Sequence, residues 1–600
     1  MYQNYTVASR PEQGPPRLAA LRAQMAAAGV NAWLVPRGDA WRGEYVAPCD
    51  ERLGWLTGFT GSAGFSVVTM DEAGVFIDGR YRLQVRKQVA MPEFTPVPWP
   101  EEQLTDWLAP RLNSGDVLGF DPWLHSIDEV KALHKTFDPK GVALKPLENL
   151  VDLIWTDRPA PPADPFTVHP LEFAGVDHAT KRAQIATGLQ AAGADAVVIT
   201  LTDSIAWLLN IRGTDVAHNP IPHAFLILRA DGTGTLFARP GKADDVRAHL
   251  GDDVAVQDQA DFLPALAALG GKVQIDPANA ASIIGSTLVG GGATLIPALD
   301  PCLMPKACKN PAEIEGMRLA QDRDAVAMIN FLAWLDAEAP KGALTEIDIA
   351  VQLEGFRTAT NALREISFPT IAGAGPNGAI MHYRVNEESN RRLNTNELML
   401  VDSGGQYADG TTDITRTMLV GTAPSDSIEN YTRVLQGLIA ISRARFPRGV
   451  AGMHLDTLAR FNLWTAGRDF DHGTGHGIGA YLSVHEGPVR LSRISDIPLR
   501  EGMVLSNEPG YYREGDYGIR LENAITVVAA PALAGADARD MLAFETLTYV
   551  PFDRRLIDAN HLSRDETDWI NAYHDEIIRR YSPRLSGDVN VWLKQACAPL

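Results

Sequence analysis

Cysteine is scarce in this chain of 600 residues: Cys49, Cys302, Cys308 and Cys597 are the whole complement. None forms a tight zinc or redox motif, and four thiols over this length exclude a disulfide framework, so reduced and structurally minor thiols are expected. Excess positive charge is lacking too. Lys and Arg number 54 against 74 Asp and Glu, a formal net charge of -20. That balance argues against nucleic acid or an anionic membrane surface as the main partner. No apolar run approaches the ~20 residues that a membrane-spanning helix needs. The opening stretch, MYQNYTVASRPEQG, has neither a basic segment followed by an apolar run nor a small-residue cleavage site. A cytoplasmic location with no membrane partner is the expectation. The length exceeds what one hydrophobic core supports and predicts three or four domains.

What is present first is a repeat. RLAALRAQMAAAGVNAWLVPRGD reads as an amphipathic helix, a stop at Gly29 and an apolar strand, and GFTGSAGFSVVTMDEAGVFIDGRY reads as paired strands. Met25 to Asp39 matches Leu189 to Asp203, and WLTGFTG from Trp55 matches WLLNIRG from Trp207. Units this long predict duplicated α/β domains rather than a solenoid. Between the copies runs RPAPPADPFTVHP, Arg158 to Pro170, whose five prolines make a stiff connector. A second proline-spaced stretch, Pro297 to Pro311, precedes AEIEGMRLAQDRDAVAMINFLAWLD, a core-facing amphipathic helix that opens a third domain. SRDETDWINAYHDEIIRRY, near the C-terminus, reads as another such helix. The first two domains carry no self-sufficient catalytic constellation.

The third domain does. Five residues suited to hard or borderline divalent cations lie between Asp402 and Glu522: four carboxylates, Asp402, Asp413, Glu508 and Glu522, and one imidazole, His476. In ELMLVDSGGQYADGTTDITRTMLV the Asp409-Gly410 pair signals a hairpin turn. A turn midway between Asp402 and Asp413 would set them opposite each other on neighbouring strands. In DHGTGHGIGAY, His472 and His476 have the spacing of a helical zinc pair, but Gly473, Gly475 and Gly477 oppose a helix and predict a loop that passes close to a metal or substrate. Glu508 closes the apolar run GMVLSNEPGYY. Glu522 lies in GIRLENAITVV, where period-two alternation sets Arg520 on the same strand face. Singly, a strand-end Asp is usually a turn residue and a Glu beside an Arg a surface pair; the joint pattern reverses that.

The five residues, in this order, resemble the ligand set of the pita-bread metallopeptidase family that includes methionine aminopeptidase, prolidase and aminopeptidase P, with no ligand replaced. GDAWRGEY, DERLGWLTGFTGSAG, DGRY and RGTDVAHNP resemble the two N-terminal domains of the three-domain aminopeptidase P group, so the likeness covers nearly the whole chain. Where that group usually carries an Asp-Ala-His string, this chain has Asp39, Ala40 and Trp41. The resemblance implies an α/β and α+β multidomain fold: two duplicated creatinase-like α/β domains at 1–163 and 164–308, a pita-bread catalytic domain at 309–545, and a C-terminal extension at 546–600.

The same resemblance implies two divalent cations per chain, Asp402 on one, His476 and Glu508 on the other, and Asp413 and Glu522 bridging. Carboxylate-rich ligation suits Mn2+ best, with Co2+ and Zn2+ as alternatives. Glu508 is the expected general base. Three further histidines fall where the family places substrate-facing ones: His382 in GAIMHYR, His472, and His485 in SVHEGP, the last with a catalytic role. Arg520 is expected on the substrate side as well. The implied activity is that of a metal-dependent Xaa-Pro aminopeptidase acting on peptides with proline second, and the implied assembly a homodimer through the third domain. A prolidase restricted to dipeptides is the nearest alternative. A non-catalytic scaffold and a creatinase-like, metal-free hydrolase are both disfavoured by retention of all five ligands.

Overall fold

The computed structural model describes residues 1–424 and 426–600. They form two compact units, one of residues 8–303 and one of residues 1–7 with 304–600.

The first unit holds the predicted repeat. Helix α1 (Gly14–Ala28) ends at Gly29, whose φ of 67° is the left-handed conformation that glycine adopts without strain. It leads into β1 (Ala32–Pro36), followed by β2 (Phe65–Thr69), β3 (Ala73–Ile77), β4 (Thr95–Pro98), β5 (Val117–Phe120) and β6 (Ala143–Pro146). Their spatial order is β4-β3-β2-β1-β5-β6. After helix α2 (His178–Ala191) the second copy brings β7 (Ala196–Ile199), β8 (Ala224–Arg229), β9 (Gly234–Ala238), β10 (Val254–Asp258), β11 (Lys272–Ile275) and β12 (Thr294–Pro297), in the order β10-β9-β8-β7-β11-β12. Strand for strand the two orders are the same, which is what a duplication predicts. Both sheets are mixed, antiparallel in the middle hairpins and parallel where strands are joined by crossovers. Trp41 is buried, stacks on His223 with ring centroids 3.9 Å apart, and donates its indole N–H to the carbonyl of Ala224. It bolts the two copies together.

The second unit opens with helix α3 (Pro311–Glu338), started where expected by a capping box between Asn310 and Glu313. Helix α4 (Glu346–Thr358) packs beside it. A short sheet follows, built from β13 (Ile371–Ala374), β14 (Glu397–Ser403) and, beyond a small hairpin, β15 (Ile414–Val420), with β14 in the middle. Helices α5 (Ser427–Ser442) and α6 (Gly452–Trp464) pair with each other. The larger sheet then comprises β16 (Arg445–Pro447), β17 (Gly475–Gly477), β18 (Glu486–Leu491), β19 (Val504–Asn507), β22 (Asn523–Ala529) and β23 (Met541–Thr546), in the order β16-β23-β22-β19-β17-β18; β20 (Gly510–Arg513) and β21 (Tyr517–Arg520) form a separate hairpin between β19 and β22.

The main core joins Met328, Ile329 and Leu332 of α3, Ile349 and Leu353 of α4, Met399 and Val401 of β14, and Leu435 and Leu438 of α5. Helix α7 (Arg564–Tyr581), in the C-terminal extension, carries Ile570 and Ile577 into that same core. At about 1.5–3 kcal/mol for each fully buried aliphatic side chain, this layer fixes the sheets whose strand ends carry the candidate ligands. Among the described residues no helix is long and apolar enough to cross a membrane, and all four cysteines are free thiols.

Candidate metal centre

The strands of β14 and β15 pair so that Asp402 faces Thr415, not Asp413. The turn that joins them is Ala408-Asp409, because Tyr407 pairs with Gly410. This is one residue later than a turn centred between the aspartates, so Asp413 stands two positions from the partner of Asp402. The two carboxylates are therefore diagonal neighbours on one face rather than an opposed pair, still close enough for the charge of Asp413 to raise the proton affinity of Asp402.

His476 lies in a short strand, β17, and not in a loop. The glycines around it serve close approach rather than flexibility. A Cβ on Gly475 would stand 1.9 Å from the carbonyl oxygen of Ser506, and one on Gly477 would stand 2.3 Å from that of Glu486. Only glycine lets β17 lie between its neighbours there. Nε2 of His476 is 3.4 Å from Asp413 Oδ2 and 3.4 Å from Glu508 Oε1. Nδ1 donates to the carbonyl of Gly477 at 3.0 Å, which fixes the tautomer and leaves Nε2 facing the carboxylates.

Glu508 follows β19 directly, its N–H held by the carbonyl of Thr474 at 2.8 Å. Ser506, two residues earlier on the same face, donates to Glu508 Oε1 at 3.1 Å. Glu522 sits between β21 and β22, so it does not share a strand with Arg520. Thr415 donates to Glu522 Oε2 at 2.7 Å. One ligand atom each from Asp413, His476 and Glu522 fall within 4.8 Å of one another.

The electrostatics are those of a centre that wants positive charge. Burial, with neighbouring carboxylates, pushes Asp402, Glu508 and Glu522 above the ordinary carboxylate range. Burial pulls His476 down, but its hydrogen bond to Asp413 and the charge of Glu508 outweigh that and lift it to about 9. Asp402 Oδ1 and Glu522 Oε1 are buried yet accept no hydrogen bond. Buried carboxylate oxygens without donors cost several kcal/mol unless a cation meets them. Four carboxylates and one oriented imidazole therefore fit a pair of divalent ions, Asp402, Asp413, His476, Glu508 and Glu522 being the residues that would hold them.

His485 stands edge-on to His476, ring centroids 4.3 Å apart. The next residue, Glu486, is buried between Lys306, at 3.2 Å, and Lys309, which anchors the segment carrying His485. His472 donates from Nδ1 to the carbonyl of Gly473 at 2.7 Å, so its Nε2 accepts from the Tyr512 hydroxyl at 2.8 Å. Its loop is clamped by buried Arg460, whose guanidinium donates to Asp456, Asp469 and the carbonyls of Phe470 and His472. His382 is half-buried in the loop after β13, and its neighbour Tyr383 shares a small apolar cluster with Tyr512.

Arg520 departs from expectation. It is buried and directs its guanidinium to Asp402 Oδ2 at 2.5 Å, Tyr512 at 2.7 Å and Thr415 at 3.3 Å, so it orients a carboxylate rather than facing open space. Four contributing residues went unread in the sequence: Tyr512, Thr415, Ser506 and Arg416. Period-two alternation from Asp413 and from Glu508 points to Thr415 and Ser506. Arg416, fully buried, donates to the backbone carbonyl of Glu522 at 2.5 Å, to that of Val550 at 2.7 Å and to Tyr573 of α7 at 3.1 Å. It ties the C-terminal extension to a ligand.

Residues 315–529 match the model of metallopeptidase family M24, and 540–600 match the C-terminal region of peptidase M24. Residues 17–154 and 157–313 each match a creatinase/prolidase N-terminal domain. Aminopeptidase P2 of Arabidopsis thaliana is 40% identical over 617 residues, covering 95% of this chain and 86% of its own. A probable Xaa-Pro aminopeptidase P of Paracoccidioides brasiliensis is 37% identical over 97% of this chain and 99% of its own. The crystal structure of X-prolyl aminopeptidase from Caenorhabditis elegans, described as a cytosolic enzyme with a di-nuclear active site, superposes with a TM-score of 0.93 at 34% identity, covering 98% of this chain and 100% of that one. The chain belongs to metallopeptidase family M24, in the branch that sets two creatinase-type domains ahead of the catalytic one.

Proposed function

We propose that this protein is a two-metal Xaa-Pro aminopeptidase that removes the first residue from peptides with proline second. The observation that carries the reading is the buried centre of four carboxylates and one imidazole, with two carboxylate oxygens lacking any donor, in a chain that aligns nearly end to end with aminopeptidases of this specificity. Asp402 is assigned to one cation, His476 and Glu508 to the other, and Asp413 and Glu522 to both. Manganese is the proposed metal, since oxygen-rich ligation favours it over zinc. When bound, the pair supplies a water of lowered pKa and a polarised scissile carbonyl.

The chain's own residues do the rest. Glu508, whose proton affinity is raised by burial, takes the proton of the attacking water. An Xaa-Pro bond has no N–H, and its nitrogen must gain a proton to leave. His485 hydrogen-bonds the developing oxyanion and helps that proton reach the proline nitrogen. His382 and His472 line the proline side, the latter oriented by Tyr512. Arg520 holds Asp402 in place.

Domain limits at 163, 308 and 545 and a cytoplasmic location go with this reading, as does a homodimer through the third domain. An apolar stripe on α6 supports the dimer: Met453, Leu458, Phe461 and Trp464 are exposed on one face, with Phe461 at 58% and the adjoining Ile494 at 85%. Sedimentation of Phe461→Glu should show monomer where the parent shows dimer; a parent that stays monomeric at micromolar concentrations removes the dimer. The activity itself is tested by offering a tripeptide and a dipeptide, each with proline second, before and after chelation. Cleavage favouring the tripeptide, lost with chelator and restored by manganese, is expected. Preference for the dipeptide would make the protein a prolidase, and no cleavage of either would make it a scaffold.

A further inference from the structure

The chain leaves the catalytic unit after Val7 and rejoins it at Met304. Residues 1–7 contain no helix or strand, so their backbone polar groups must find partners outside the segment. They find them in the catalytic unit. The N–H groups of Tyr2 and Gln3 donate to the two carboxylate oxygens of Glu354 on α4, at 2.8 and 3.4 Å. The Gln3 carboxamide is buried; its oxygen accepts from the N–H of Thr370 at 2.8 Å and its nitrogen donates to the carbonyl of Thr370 at 3.5 Å. The carbonyl of Tyr5 accepts from the N–H of Glu387 at 2.9 Å. The Tyr5 ring packs on the cluster of Ile371, Tyr383, Val385 and Leu400, against which Tyr512 also packs.

These contacts land on two places that matter to the site. Thr370 immediately precedes β13, whose Ile371 is paired with Asp402. Tyr383, Val385 and Glu387 immediately follow His382 in its loop. The far side of that loop is pinned separately, by the Tyr383 hydroxyl donating to Glu346 at 2.8 Å. Ordering a terminal stretch costs conformational entropy, and here the compensating contacts converge on one loop.

We propose that residues 2–5 form a strap that positions the His382 loop against the proline side of the substrate, Gln3 and Tyr5 being the positioning residues. The proposal rests on the reading of His382 as substrate-facing. Tyr5 sets the loop's depth by packing beneath Tyr383 and Val385. Gln3 sets its register by pairing with the backbone of Thr370 as a strand residue would.

The test uses the full chain, loaded with manganese, as parent, Tyr5→Ala, Tyr5→Phe, Gln3→Ala and His382→Ala. Each is assayed on a tripeptide with proline second, with metal content and Tm measured alongside. Tyr5→Ala and Gln3→Ala should raise KM about tenfold while kcat changes less than about threefold and metal content and Tm hold. Tyr5→Phe keeps the ring and should return KM to within about twofold of the parent. A parental KM in Tyr5→Ala and Gln3→Ala, with KM raised in His382→Ala, overturns the strap and leaves the reading of His382 standing. A parental KM in all three overturns both. Parallel losses of kcat, metal and Tm in the strap variants also overturn it, since they would mark a general brace.

Discussion

Replacing Thr415 with Val removes one hydroxyl from beside the centre and changes little else in volume. Thr415 is fully buried, donates to Glu522 at 2.7 Å and accepts from Arg520 at 3.3 Å. The other oxygen of Glu522 already lacks a donor, so in the variant neither oxygen has one, and the carboxylate loses the contact that sets its orientation. A hydrogen bond to a charged group is worth about 1.5–3 kcal/mol. At 1.4 kcal/mol for each factor of ten, manganese should bind about 10- to 100-fold more weakly, the range seen when an outer partner of a metal ligand is lost. Calorimetric titration of chelated protein with manganese reads this directly. Activity at saturating metal should recover to within about threefold, and Thr415→Ser, which keeps the hydroxyl, should bind as the parent does. Parental affinity in Thr415→Val would refute the idea that this hydroxyl orients Glu522.

Other perturbations separate chemistry from assembly. Glu508→Gln keeps the shape but loses the group that accepts the water's proton; turnover should fall by ~10² to 10⁴ under saturating manganese, and a near-parental rate on a Gly-Pro tripeptide would remove Glu508 as base. His485→Ala leaves all five ligands intact, so elemental analysis should find parental metal while turnover drops. In the metal-free protein His476 is held at about 9, well above its unfolded value, by Asp413 and Glu508 against burial. That contribution is complete below about pH 6.5 and is lost as pH rises through 9, so the Tm in chelator should fall between pH 7 and 9, and manganese, which needs deprotonated ligands, should reverse the slope. Below pH 7 the sign is mixed, because burial lowers His125, His223 and His574 and they act in the opposite sense. A chelated His476→Gln variant with the same slope as the parent between pH 7 and 9 would contradict the assignment.

Much of the site was legible because strand periodicity is local. Apolar runs that end in Asp402 and Glu508 place a carboxylate at a strand terminus; the same alternation reaches Thr415 and Ser506, which went unread. The duplication was legible for a similar reason, since helix, glycine stop and strand recur in order, and both sheets then adopt one strand sequence. Register was not. A turn midway between Asp402 and Asp413 would set them opposite each other, but the strands close around Ala408-Asp409, one residue beyond that midpoint, and that single step moves Asp413 from opposite Asp402 to its diagonal. Arg520 and Glu522 look like strand mates because they are two apart, yet the chain passes from one hairpin to another sheet between them. Contacts that join distant segments leave no periodic trace: Arg416 reaches Glu522, Val550 and Tyr573, and Gln3 reaches Thr370. These depend on tertiary packing that no window of sequence contains.

The two-metal centre itself is tested most directly by elemental analysis of the parent and Asp413→Asn, paired with tripeptide turnover on the same samples. Asp413 stands 3.4 Å from Nε2 of His476 and within the cluster that also takes in Glu522, so a neutral amide there should disrupt both cation positions. About two divalent ions per chain are expected in the parent, with metal and activity lost together in the variant. An Asp413→Asn protein that keeps two ions and turns over like the parent would contradict the account.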